Sequence, residues 1–246
     1  MRVPMPIRLV FFIAAATATP ERERGANSTH TSMSDIAAAI YELPTPHSIV
    51  VFTTGGGIQL ATYLLATPGA SRCMLEVQLP YSRASTAQLL GYEPARYATA
   101  EVAAHLATSA FERAKQLGEA GQPAVGLGGT AKLRSTASLD PGDHRAFFAV
   151  RTEAGLYELE LALTKGARSR LGEDSVVSGV ALIALANACG VALSEQQRDA
   201  WRLVADVEGD DADAFARLVE AEKLQASFAP HADSVGQGLL AAKAEL

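Results

Sequence analysis

The segment Ser48-Ile-Val-Val-Phe-Thr53 runs directly into Gly55-Gly56-Gly57 and then into the helical stretch Ile58–Leu65. This junction constrains the fold more than any other feature of the chain. A short, uninterrupted, β-branched run bounded by turn signals reads as a strand buried on both faces, and such strands belong to sheets covered by helices. A glycine-rich turn from that strand into a helix is the opening unit of an α/β domain.

The rest of the pattern extends that unit. Residues 72–79 form a second strand candidate, with Met74, Leu75, Val77 and Leu79. Residues 82–90 read as a short helix, with Gly91 where a terminating glycine belongs. Residues 99–117 carry the fullest helix signature: Thr99 fits an N-cap, Glu101 lies in the first turn, and Val102, Leu106, Ala110, Phe111 and Ala114 share one stripe. Residues 123–128 are a short apolar strand opening onto Gly128-Gly129-Thr130, and 131–143 read as a polar loop. Residues 144–151 and 156–163 read as a hairpin joined through Glu153-Ala154-Gly155. Residues 175–189 are an apolar helix buried on most sides, and Ser34–Glu42 is a short helix stopped by Pro44 and Pro46. The order predicts a three-layer α/β/α sandwich built on a mixed sheet.

A length of 246 residues suits one domain with appendages, and the pattern places that domain at residues 35–190. Residues 1–34 form an extension in which Arg2 and Arg8 flank the start of the apolar run Leu9–Ala18. Three readings fit it: a secretory signal, an organellar transit peptide, or an upstream extension with translation starting at Met33. The run is too short for a membrane span, which needs about 20 apolar residues. The expected location is the cytoplasm, or a mitochondrion or plastid if residues 1–32 are a transit peptide. Residues 191–246 read as an acidic helical tail: Ser194 caps one stretch, residues 208–213 are nearly all acid, and Phe215–Leu224 is an amphipathic helix candidate.

Composition narrows the function. The net charge is −6, and no Lys/Arg cluster offers a nucleic-acid footprint. Two cysteines, Cys73 and Cys189, are too few for a disulfide framework or a metal quartet and read as buried small hydrophobes. His47, His105 and His144 show no metal spacing, and His105 reads as a surface or satisfied core residue. No metal and no cofactor is expected.

Four places carry candidate chemistry. Thr53, Thr54, Gly55, Gly56 and Gly57 lie where a strand end meets a helix N-terminus; its exposed N–H groups attract anions, and glycines let a ligand approach the backbone. The same residues also fit a tight turn with no ligand. Gly129 and Thr130 mark a second strand end, and ligands of open α/β sheets gather at such ends. Tyr81 and Ser82 follow the second strand. Lys165, Arg168 and Arg170 follow the last strand and offer positive charge for a phosphate, or form a solvated loop.

Thr54-Gly55-Gly56, Pro68-Gly69-Ala70-Ser71, Tyr81-Ser82 with Leu90-Gly91, Gly129-Thr130-Ala131 and the strand-loop-helix over 163–189 stand in one order across about 140 residues. In that order they resemble the CinA C-terminal domain, the fold of bacterial nicotinamide-mononucleotide deamidases. They look closer still to a plant-type branch in which the domain precedes a nucleotidylyltransferase domain; no His-x-Gly-His motif of such a domain occurs here. The resemblance implies hydrolysis of the carboxamide of nicotinamide mononucleotide by a serine nucleophile, with a lysine and a tyrosine moving protons. It also implies a homo-oligomer. The family serine falls on Phe52 or, with the gap shifted, on Thr54; the family lysine position, counted from Tyr81, is Thr86.

Three functions follow as expectations. The first is a CinA-like domain with a nicotinamide-nucleotide-type pocket and diverged or lost amidohydrolase activity, lined by Thr53, Thr54, Gly55, Gly56, Tyr81, Ser82, Gly129 and Thr130, with Arg168 or Arg170 at the phosphate. The second is an active amidohydrolase with Thr54 as nucleophile and Tyr81 as proton relay. The third is a non-catalytic interaction or assembly module.

Overall fold

A computed structural model describes residues 32–136, 142–194, 197 and, for the backbone alone, 223–226. The β-branched run forms β1 (Ser48–Thr54), and all seven of its residues are buried. It lies parallel to β2 (Met74–Gln78) on one side and to β3 (Ala124–Lys132) on the other. The β1–β3 register sets Thr53 beside Gly129 and Thr54 beside Thr130. β4 (His144–Thr152) and β5 (Gly155–Leu163) form the expected hairpin, antiparallel to β3 and to each other. β6 (Lys223–Ala226) pairs antiparallel with β5, completing the order β2-β1-β3-β4-β5-β6.

Strand alternation sorts the core into two layers. Ile49 and Val51 face a cluster shared with α1 (Met33–Tyr41), α2 (Ile58–Leu65) and α5 (Arg170–Ala188). Val50 and Phe52 face the opposite layer, which α3 (Arg83–Leu90) and α4 (Ala100–Leu117) provide. The sheet is mixed and covered on both sides, as the element order predicts. Caps mark the helix starts: Ser32, Ser82, Thr99 and Ser169 each accept a backbone N–H from the first turn of α1, α3, α4 and α5.

Three boundaries differ from the sequence pattern. β3 continues four residues past Gly128, because Thr130, Ala131 and Lys132 pair with Phe147, Ala146 and Arg145 of β4. α5 begins at Arg170, five residues earlier than its apolar stretch, because the Ser169 cap draws polar residues into the first turn. The last two residues of the expected helix over Phe215–Leu224 belong instead to β6, whose hydrogen bonds come from the open edge of β5. The remainder of that tail, like residues 1–31, lies outside the described residues.

The seam between β3 and α4 has no room for side chains. A Cβ on Gly126 would stand 2.1 Å from the Phe111 nitrogen, and one on Gly128 would stand 2.1 Å from the Ala107 nitrogen. Ala103, Ala107 and Ala110 complete the contact from the helix side, and all are fully buried. The glycines therefore let the helix backbone lie directly on the strand, a distance no larger residue permits. Gly128→Ala is expected to destabilise the domain by about 3 kcal/mol or more, measured by urea denaturation.

Cys73 and Cys189 are both free and buried. Burial pushes both thiols above their ordinary values, and at Cys189 the charge of Cys73 adds to it. Thiolates are the reactive form. Both cysteines should resist alkylation at neutral pH in the folded chain and react quantitatively once it is unfolded, as mass spectrometry of labelled protein will read.

Candidate functional site

β1 ends where Thr54 pairs with Thr130 of β3, and strand alternation gives the residues around this pair two different polar environments, one on each face of the sheet. On the α3/α4 face, the Thr54 hydroxyl meets the Thr86 hydroxyl at 3.2 Å, and Thr86 donates in turn to the Ser82 carbonyl at 3.1 Å. A hydroxyl has one proton to give. With the Thr86 proton spent on Ser82, the Thr54 proton points at Thr86. Beside them the Thr130 hydroxyl donates to the Tyr97 carbonyl at 2.8 Å. Of the two positions aligned with the family serine, Phe52 lies in the apolar cluster with Leu90, Val102 and Leu106, and only Thr54 reaches Thr86.

On the α2/α5 face, a cleft of about 110 Å³ is lined by Thr53, Gly55, Gly56, Ile58, Leu79, Pro80 and Tyr81. Thr53 is fully buried, and its hydroxyl has no hydrogen-bond partner among the described residues. Tyr81 is 76% exposed and stands at the cleft mouth with Ile58 and Leu79, also exposed. The structure thus brings Thr53, Gly55, Gly56 and Tyr81 together. It directs Thr54 and Thr130 to the other face, so Thr54 and Tyr81 do not line one cleft.

The glycine turn answers a packing demand first. A Cβ on Gly55 would lie 2.1 Å from the Ala131 carbonyl oxygen, and Gly55 and Gly57 hold φ of +77° and +84°. A Cβ on Gly129 would lie 2.4 Å from the Phe148 ring. Ser82 spends its side chain on capping α3, accepting from the Ser85 nitrogen at 3.1 Å.

The anion site that the turn creates is already filled. Asp174, just past the first turn of α5, accepts from the Gly57, Ile58 and Gln59 nitrogens at 2.8, 3.2 and 3.0 Å. It satisfies the N-terminal amides of α2 and sits at the positive end of that helix dipole. Around it, Gln59 donates to Ser175 at 2.9 Å, and the Tyr63 phenol is pushed above its ordinary value by burial and then by the Asp174 charge.

The cations expected at a phosphate are also engaged. Arg168 is fully buried, and its carbonyl accepts from the Arg134 guanidinium at 2.7 Å. Arg170 is exposed and donates to the carbonyls of Gly55, Leu133 and Arg134 at 3.2, 3.4 and 2.8 Å. Lys165 donates to the Gly142 carbonyl at 3.3 Å. These arginines tie the loop after β3 to the start of α5; they do not open into the cleft as a free pair. A buried hydrogen-bonded pair completes the junction: His144 Nδ1 stands 2.5 Å from one Glu173 oxygen, and the other accepts from the Arg134 backbone nitrogen at 2.6 Å.

Asp174 and Glu173 are the residues that reading the sequence did not reach. The signal was there: two adjacent acids open a nearly continuous apolar helix, and a buried carboxylate must find donors. A larger cavity of about 390 Å³ lies apart from this junction, at the N-terminus of α4, between Tyr92, Glu93, Arg96, Thr99 and Glu101. None of the sequence-derived candidates lines it. Nearby, the Tyr92 hydroxyl pairs with His105 Nδ1, so His105 is a satisfied residue.

This architecture is the CinA fold. The structure is similar to a CinA-superfamily protein from Enterobacter cloacae (TM-score 0.52, 12% identity), covering 70% of this chain and 99% of that one. It is also similar to a competence or damage-inducible protein from Enterobacter asburiae (TM-score 0.51, 12% identity), covering 65% and 99%. No family model matches the chain, and no curated protein matches it.

Two substitutions separate fold from site. Asp174→Ala strips the three N-terminal amides of α2 of their acceptor and should cost about 3 kcal/mol. Thr53→Val removes a buried hydroxyl without a partner and should stabilise the chain by about 1 kcal/mol. Thermal or chemical denaturation of each variant reads both signs.

Proposed function

We propose that this chain is a CinA-fold domain that binds a ligand of the nicotinamide-nucleotide type in the cleft at Thr53 and Tyr81 and has lost amide hydrolysis. The order of its sequence motifs resembles the plant-type branch. One observation carries the loss of chemistry. Thr54, the residue aligned with the family nucleophile, faces the hydroxyl of Thr86, the residue aligned with the family lysine. A threonine needs a base to become a nucleophile, and a second hydroxyl does not accept a proton at neutral pH. Removing such a base costs several powers of ten in rate.

Supporting the binding half is the cleft itself. It holds one buried, unpartnered hydroxyl at its floor and an exposed aromatic ring at its mouth. A heteroaromatic carboxamide offers both complements, a hydrogen-bonding group and a flat apolar face.

The test is to incubate the full chain with nicotinamide mononucleotide and, separately, its nucleoside, while measuring ammonia release and ligand-dependent melting. The expected result is a melting shift with at least one ligand, no ammonia above background, and loss of the shift in Thr53→Val. Ammonia release that disappears in Thr54→Ala would instead establish an active enzyme with a threonine nucleophile. No shift and no release would leave an interaction module.

A further inference from the structure

We infer that Asp174 is a built-in anion that closes the N-terminus of α2 to phosphate, so that the Thr53 cleft takes the phosphate-free, ring-bearing part of its ligand and discriminates against the phosphorylated form. This deepens the reading given under Proposed function and rests on it for the identity of the ring.

Three observations carry it. The first is occupancy. Both oxygens of Asp174 are used on the consecutive N–H groups of Gly57, Ile58 and Gln59, and the side chain is held from its own helix by Ser178 at 3.4 Å. A phosphate seeking those amides would have to expel a buried carboxylate and then stand beside it. The second is the lining of the cleft. Among the described residues its one buried polar side chain is Thr53, which is neutral, and no lysine or arginine lines it. Arg170, which reaches the glycine turn at the Gly55 carbonyl, already spends both terminal guanidinium nitrogens on three main-chain carbonyls. The third is size. Pockets for whole small ligands run to roughly 300–1,000 Å³, so a cleft of about 110 Å³ receives one ring and leaves the rest of the ligand outside.

The chemical class is therefore a neutral or cationic heteroaromatic amide, free or as its nucleoside. Asp174 acts as a specificity-determining residue: its carboxylate accepts from the backbone nitrogen of Ile58, a residue that lines the cleft.

The test uses the full chain and two probes. In the first arm, melting is followed with inorganic phosphate against sodium chloride at equal ionic strength. The native chain should show no phosphate-specific rise. Asp174→Ala should melt lower and recover part of the loss in phosphate. Asp174→Asn, which keeps the shape and removes the charge, should show the same gain and serves if the alanine variant does not fold. A native chain that responds as strongly as the variants overturns the inference, as does a folded Asp174→Asn that does not respond.

In the second arm, nicotinamide riboside and nicotinamide mononucleotide are titrated by calorimetry. The riboside should bind the native chain about tenfold more tightly, and Asp174→Asn should narrow that gap. Equal affinity, or a preference for the mononucleotide, overturns the role of Asp174 and leaves the proposed function standing. Binding of neither removes the proposed function, and the phosphate arm alone then decides the role of Asp174.

Discussion

The closeness of α4 to β3 governs everything built above it. Gly126 and Gly128 put helix backbone within touching distance of strand backbone, and Ala103 and Ala107 meet them with the smallest side chain available. Dispersion is short-ranged, so this dry contact holds only while no atom is inserted. It fixes β3 in place, and β3 fixes β1 through a seven-residue parallel register. The register holds Thr53 beside Gly129 and Thr54 beside Thr130, and strand alternation sets Thr53 and Thr54 on opposite faces at a common edge.

From that edge the molecule builds two environments of different character. One face is a closed set of hydroxyls and carbonyls, Thr54, Thr86, Ser82 and Thr130 with Tyr97, in which each of the threonine and serine groups described has found a partner. The other is a shallow, mostly apolar cleft with one unpaired hydroxyl at its floor. Satisfied groups have no reason to seek a ligand, and an orphan does. The asymmetry favours binding on the Thr53 side, and the absence of a base beside Thr54 disfavours catalysis on the other.

Much of the fold was legible in the sequence. Every element from α1 to α5 follows from β-branched runs, capping residues and apolar stripes, because these are local signals that tertiary packing did not override here. The ends of elements were less legible. β3 outlasts its apolar run because β4 offers it a ladder, and β6 owes its pairing to an edge formed more than fifty residues earlier. The site was half legible. Thr53, Gly55, Gly56 and Tyr81 do converge, since a strand end and a glycine turn dictate a rim. The direction of Thr54 and Thr130 was fixed by the period of the strand, which no motif displays. The fate of the arginines was hidden for another reason: a guanidinium serves a phosphate or a carbonyl equally well, and only the fold decides which is near.

The carboxylate bridge from Asp174 to Gly57 joins groups 117 residues apart in the chain. So long a closure is entropically slow, and it can form only after β3, β4 and β5 have brought α5 back across the sheet. During synthesis the glycine turn and the first turn of α2 therefore emerge with bare amides and wait for a partner made much later. Until α5 arrives, the nascent domain presents an anion-attracting surface that the finished protein conceals.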